Sequence, residues 1–164
     1  ARERLDEAEN LIKTSQDELG QMISELRPIA LEGQGLAGAI TDYLVTWSQH
    51  SRIPADIQIQ NEQQLPLEIE QTLFRVAQEA LSNIARHSRA SSAVVRLAFD
   101  PDQVTLCVAD NGVGFDLSNA RNGFGLQSMR DRMSAIHGRM VVQAVRDGGT
   151  NIKASAPIPR QEKK

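Results

Sequence analysis

Only one cysteine, Cys107, occurs among the 164 residues. A single thiol permits neither an internal disulfide nor a thiolate cluster around zinc, and it suits a reducing compartment. No apolar run approaches the ~20 residues a membrane-crossing helix needs, so no membrane segment is expected in these residues. A basic excess is also missing, since the formal charge is −3 and the pI is near 5.6. Neutralising a phosphate backbone takes a positive field, so no nucleic acid is expected as a partner. Internal repeats, low-complexity tracts and an opening secretory signal are likewise absent from the pattern. What is present is a 40 % hydrophobic composition, enough for a sizeable core. The length suits one compact domain with a short extra element. The chain opens Ala-Arg-Glu-Arg, without methionine and inside a helical pattern, and is expected to be a piece of something longer.

Residues 1–27 carry a seam at Leu5, Ala8, Ile12, Ser15, Leu19, Met22 and Leu26. Its gaps alternate three and four, the a/d spacing of a heptad. An amphipathic helix lying on its own domain would show such a stripe. One arm of a dimeric helical bundle fits better, because the seam begins at residue 5 with no cap before it. Pro28 stops this helix near Arg27. Gly33 and Gly35 mark a joint. A second helix is predicted over about 36–49, with Leu36, Ile40, Tyr43, Leu44 and Trp47 on one face. Ile57 and Ile59 alternate with polar neighbours, as in a short strand. A long helix is predicted from Pro66 to His87, buried through Leu73, Ala77, Ala80, Leu81 and Ile84.

The period then changes. Residues 92–99 and 103–109 alternate apolar and polar around the turn Asp100-Pro101-Asp102 and predict a hairpin. A Gly-rich loop follows from Asn111 to Gly123, then a helix over 125–136. Strands near 139–145 and 150–156 close the chain around Arg146-Asp147-Gly148-Gly149. The tail is polar. Helices with an antiparallel or mixed sheet imply an α+β two-layer sandwich.

Four constellations could carry chemistry. In Gln78–His87, Glu79 and Asn83 are four apart and share one helix face, with Arg86 and His87 continuing round that end. A carboxylate beside an amide oxygen can hold hydrated magnesium, and Arg86 and His87 can meet phosphate. Taken alone, the segment reads better as a solvated helix flank. Asp110-Asn111-Gly112-Val113-Gly114-Phe115 follows a strand directly. A carboxylate there can accept from an exocyclic amine such as adenine N6, and Gly112 and Gly114 let backbone approach a flat ring. Gly123-Phe124-Gly125-Leu126 opens a helix, where free N–H groups and the dipole favour phosphate. Gly148-Gly149-Thr150 opens the last strand and could be only a turn. Each motif is weak by itself, but their order, each in its proper structural context, is specific.

In that order they resemble the ATP-binding domain shared by histidine kinases, type II topoisomerases, a heat-shock chaperone and mismatch-repair ATPases. Gln78–His87 looks like its N box, Asp110–Phe115 its G1 box and Gly123–Leu126 its G2 box. Gly148–Thr150 is similar to the later glycine-threonine box. Within the superfamily the chain is most similar to bacterial sensor histidine kinases paired with LuxR/NarL-type response regulators. Leu26-Arg27-Pro28, Leu31-Glu32-Gly33 and Gly35-Leu36 resemble the join between dimerisation helix and catalytic domain there. The run Gly123–Arg132 and the short lid Leu117–Asn122 also resemble that branch.

The resemblance implies a Bergerat-type fold, three helices on one face of a mixed sheet, with ATP and Mg2+ between helices and lid. It divides the chain into a partial dimerisation helix (1–30), a catalytic domain (31–158) and a polar tail (159–164). It implies that Asn83 binds magnesium and that Glu79, beside the γ-phosphate, is the general base or water-orienting group. Asp110 reads adenine N6, Gly112 and Gly114 shape the adenine pocket, and Thr150 closes it. Gly123, Gly125 and Leu126 hold nucleotide at the lid, and Arg86 and His87 lie near phosphate or ribose. Arg86 stands where lysine is usual, a change of geometry at constant charge. A homodimer through the N-terminal helix, a response-regulator partner and a cytoplasmic location in bacteria are implied as well. The family's phosphoacceptor, a histidine followed by aspartate on the first dimerisation helix, has no counterpart at His50, His87 or His137. These residues are therefore expected to bind Mg-ATP without autophosphorylating. Two alternatives are an ATPase or anti-sigma-type serine kinase of the same fold, and a non-catalytic dimerisation module. The heptad seam counts against the former; the intact Glu79, Asn83, Asp110 and glycines count against the latter.

Overall fold

The two alternating runs of the predicted hairpin pair with each other in the computed structural model, which describes residues 31, 33–114, 124–144 and 146–159. The heptad seam, the lid segment Leu117–Asn122, Phe115 and Gly123 lie outside the described residues. Strands β2 (Ala93–Phe99) and β3 (Gln103–Asp110) run antiparallel, from Phe99↔Val104 at the turn to Ala93↔Asp110 at the open end. On one side β1 (Ala55–Gln60) adds in parallel to β2. On the other, β5 (Thr150–Pro157) pairs antiparallel with β3 and with β4 (Arg139–Ala144). The order β1-β2-β3-β5-β4 makes a mixed five-stranded sheet.

Strand alternation gives this sheet two unlike faces. Val95, Leu97, Val104, Leu106, Val108, Ile152 and Ala154 are buried, while Arg96, Gln103, Gln143 and Lys153 are exposed on the opposite face. The helices α1 (Gly35–Ser51), α2 (Leu67–Asn83) and α3 (Phe124–Ala135) close the apolar face. They bury Ile40, Leu44, Leu73, Val76, Leu81, Met129 and Met133 in one core with the strands. The result is the two-layer α+β sandwich that the patterning implies.

Helix α2 positions the site, and its start and end are both explained locally. Its buried residues Ile69, Leu73, Val76, Ala77, Ala80 and Leu81 recur at helical spacing. The Pro66 carbonyl accepts the Ile69 and Glu70 N–H groups at 3.0 and 3.1 Å. Glu68 and Glu70 occupy the first turn, where negative charge complements the helix dipole. Sequence periodicity extends this helix to His87, but the α-helix ends at Asn83 and residues Ile84–Ser88 form a single π-helical turn. The Ser88 hydroxyl donates to the Ile84 carbonyl at 2.8 Å, and Arg89 turns left-handed at φ 51°, which ends the winding. Two aromatic contacts fasten α1 to α2. Buried Trp47 donates its indole N–H to the Leu81 carbonyl at 3.0 Å, and Tyr43 meets Phe74 edge-on with ring centroids 5.9 Å apart. Gly33 and Gly35, the expected joint, both take positive φ.

Candidate nucleotide-binding site

The first wall of the site is the C-terminal half of α2 facing the start of α3. Glu79 and Asn83, four residues apart, project together, as their spacing requires. Gly125, in the first turn of α3, sits directly against them. A methyl group on Gly125 would overlap Glu79 Oε1 and lie 3.6 Å from Asn83 Nδ2. Glycine lets the α3 backbone come this close without displacing the carboxylate. The start of α3 is thereby delivered to the Glu79–Asn83 pair. Arg86 and His87 project into solvent from the π turn beyond them. Tyr43, on α1, lies within electrostatic reach of this group. Burial raises the pKa of its hydroxyl; the negative charge of Glu79 adds to the rise and the positive charge of Arg86 opposes it. Tyr43 thus shares a local field with the two charged members of the wall.

The second wall is the end of the sheet where β3 and β5 stop. Asp110, the last residue of β3, lies opposite Thr150, the first of β5. Burial raises the Asp110 carboxyl above its ordinary 3.8, and the backbone N–H groups of Gly112 and Thr150 pull it back by donating to it. The Gly112 bond to Oδ1 is 2.7 Å long. The loop beyond is held from two sides. Val113 donates its N–H to the Ser88 carbonyl at 2.8 Å and accepts from the Asp147 N–H at 2.7 Å. Gly112 is pressed so closely on the Ser88 carbonyl that a Cβ there would overlap the oxygen. Gly149 packs in the same way against the Asp110 carbonyl.

The two walls are continuous through Ser88, which ends the π turn and receives Val113. The structure therefore brings together Glu79, Asn83 and Gly125 on one side, and Asp110, Gly112, Gly114 and Thr150 on the other. Leu126 is partly buried and packs on the core. Gly123 lies outside the described residues. A half-buried carboxylate at a strand end, flanked by two N–H donors, is suited to an exocyclic amine beside a planar ring. Among the described residues no three His, Cys, Asp or Glu side chains converge as a metal cage. A divalent ion here would take Asn83 oxygen and draw the rest of its shell from water and phosphate, which is how magnesium is usually held. A groove of about 360 Å³ between α1 and β1, lined by Thr41, Leu44, Val45 and Ile57, touches none of these residues.

Four contributors received no role of their own from sequence reading. Ser88 and Asn111 join the walls, Gly149 seats the last strand on Asp110, and Tyr43 faces the charged pair. Periodicity puts Tyr43 on the buried face of its helix, and its hydroxyl is the signal that this face has a polar end. Nothing in the local pattern distinguishes Ser88 from an ordinary serine at a helix end.

Fold and site together define the class: an α+β sandwich with polar side chains gathered where its helices meet one end of its mixed sheet. Residues 68–160 match the family described as histidine kinase-, DNA gyrase B- and HSP90-like ATPase, and the chain belongs to that family of ATP-binding domains. Over 161 residues it is 37 % identical to the sensor histidine kinase LiaS of Bacillus subtilis (strain 168), covering 98 % of this chain and 44 % of that protein. It is 34 % identical over 154 residues to the signal transduction histidine-protein kinase/phosphatase DegS of Brevibacillus brevis, covering 93 % of this chain and 40 % of that one. The chain thus spans less than half the length of these relatives. The histidine kinase domain of the blue-light activated kinase EL346 from Erythrobacter litoralis has the same fold. It superimposes with a TM-score of 0.64 at 18 % identity, over 76 % of this chain and 61 % of that one. Among the described residues no helix is long and apolar enough to cross a membrane.

Proposed function

We propose that this chain is the ATP-binding catalytic domain (31–158) of a two-component sensor histidine kinase. It passes the γ-phosphate of ATP to a histidine outside these residues, and from there to a response regulator of the LuxR/NarL type. The observation that carries this reading is the junction of the Glu79–Asn83–Gly125 wall with the Asp110–Thr150 wall through one backbone connection at Ser88. That junction is what a ligand with a base at one end and phosphates at the other requires. The proposed roles follow from chemistry. Asp110 accepts from adenine N6, beside backbone opened by Gly112 and Gly114 and closed by Thr150. Gly123, Gly125 and Leu126 cradle the phosphates, and Arg86 and His87 lie near phosphate or ribose.

Asn83 is the protein ligand proposed for magnesium, which when bound neutralises phosphate oxygens. Glu79 is the group proposed to accept the proton of the incoming imidazole, or to orient the group that carries it. The imidazole nitrogen bonds to the γ-phosphorus, the bridging P–O bond breaks, and ADP leaves. Most of the rate gain must then come from positioning and charge neutralisation, as phosphoryl transfer demands little covalent chemistry from the protein. Residues 1–30 are proposed as part of the dimerisation helix, 159–164 as a polar tail, and the cytoplasm as the place of action.

Incubation with γ-labelled ATP tests this. The chain is expected to bind Mg-ATP and to acquire no acid-labile label by itself, since His50, His87 and His137 lack the acceptor context. A longer protein carrying the acceptor helix is expected to become labelled, and Glu79→Gln to slow that labelling while binding persists. Phosphohistidine on this chain alone would contradict its assignment as the donor half only. Failure to bind Mg-ATP would remove the whole reading.

A further inference from the structure

Among the described residues Ser88 is the one polar residue classed as buried, at 6 % exposure. It lies where the two walls of the site meet, and every polar atom of the residue that could join them is in use. Its hydroxyl donates to the Ile84 carbonyl at 2.8 Å and accepts from the Ala90 N–H at 3.0 Å. Its carbonyl accepts from Val113 at 2.8 Å. The side chain therefore fixes the π turn bearing Arg86 and His87, while the carbonyl fixes the loop that follows Asp110. A π turn is rare and occurs mostly at functional sites. Here it replaces the last turn that sequence periodicity gives to the α-helix, so some interaction must hold it.

Asn111 reinforces the same joint from its exposed side. Its Oδ1 accepts from the Ser91 and Ser92 N–H groups at 3.0 and 2.9 Å, and its Nδ2 donates to Ser91 Oγ at 2.8 Å. Segments 88–92 and 110–113 are thus laced into one unit. One end of that unit carries Arg86 and His87; the other carries Asp110 and Gly112.

We infer that Ser88 is a positioning residue that sets the distance between the cationic turn and the base-reading loop, so that base and phosphates can be engaged at once. This rests on the nucleotide reading above and extends it to a residue that touches neither base nor phosphate. The consequence is a coupling. Adenosine engages only the Asp110 end, whereas ATP engages both ends and depends on their spacing.

Calorimetric titration with adenosine and with Mg-ATP, on the same preparations, separates the possibilities. Ser88→Ala keeps the carbonyl and removes the hydroxyl. It is expected to leave adenosine affinity within about twofold and to weaken Mg-ATP about tenfold, so that the ratio of the two affinities falls. Ser88→Thr retains the hydroxyl and should restore the ratio. Asn111→Ala, at an exposed position that cannot empty the core, should lower the ratio in the same sense. It decides the matter if Ser88→Ala does not fold. Equal losses for adenosine and Mg-ATP, or an unchanged ratio with a lowered Tm, would show Ser88 to be structural only and would overturn the proposal with the nucleotide site intact. Wild-type protein that binds neither ligand would instead remove the nucleotide reading.

Discussion

Replacing Asp110 by asparagine separates what this carboxylate does for recognition from what it does to the fold. Burial raises its pKa above 3.8, and the N–H groups of Gly112 and Thr150 only partly compensate. A raised folded pKa means that the native state favours the protonated acid. The associated stability is fully present below the unfolded pKa and is lost as pH rises through the folded one, so at neutral pH the ionised group opposes folding. Asparagine removes that charge and keeps an oxygen able to accept from Gly112. The ligand-free Tm is therefore expected to hold or rise. Recognition should move the other way, because an amide N–H2 group would face the amine of adenine. Loss of one hydrogen bond to a charged group costs about 1.5–3 kcal/mol, which is roughly 10- to 150-fold in affinity. Calorimetry with ADP avoids turnover and reads this directly. Wild-type affinity should also fall as pH is lowered into the raised Asp110 range, while the variant stays flat there. Unchanged ADP affinity in Asp110→Asn would refute the assignment of the base. A weakened affinity accompanied by a clear drop in Tm would refute the claim that the loss is one of recognition.

Gly125→Ala places a methyl on the Glu79 carboxylate, a flexible partner that can move aside. Stability should change by less than about 1 kcal/mol, since alanine also favours the helix, but phosphoryl transfer in the longer protein should fall; preserved transfer would argue against Glu79 as the group acting there. Gly112→Ala meets the Ser88 backbone carbonyl instead, which cannot move independently. A loss of about 1–3 kcal/mol is expected from such overpacking, and a urea midpoint equal to wild type would contradict the close approach. Tyr43 is the only tyrosine in the chain, so tyrosinate absorbance reads it alone. Its midpoint should lie above 10.0, fall in Glu79→Gln and rise in Arg86→Ala. A midpoint indifferent to both changes would place Tyr43 outside the field of the site. Because that folded pKa is raised, its contribution to stability is present below the unfolded value and disappears as pH climbs through the folded one.

The sequence alone determined the elements and most of the candidate residues, for a physical reason: both are written in short-range spacing. Period-2 runs placed β2 and β3, 3.6-residue periods placed the helices to within a few residues, and the four-residue gap put Glu79 beside Asn83. Glycine marked the close approaches at 112 and 125, since any side chain there would be visible as a different letter. Tertiary structure alone decided which segments meet. The parallel addition of β1 to β2, the seating of α3 on Glu79, and the pairing of Asp110 with Thr150 are contacts between residues far apart in the chain, and no local period encodes them. The π turn at Ile84–Ser88 is the plainest case. Its apolar stripe reads as continuous α-helix, and the turn is held instead by a serine hydroxyl and by a loop more than twenty residues away.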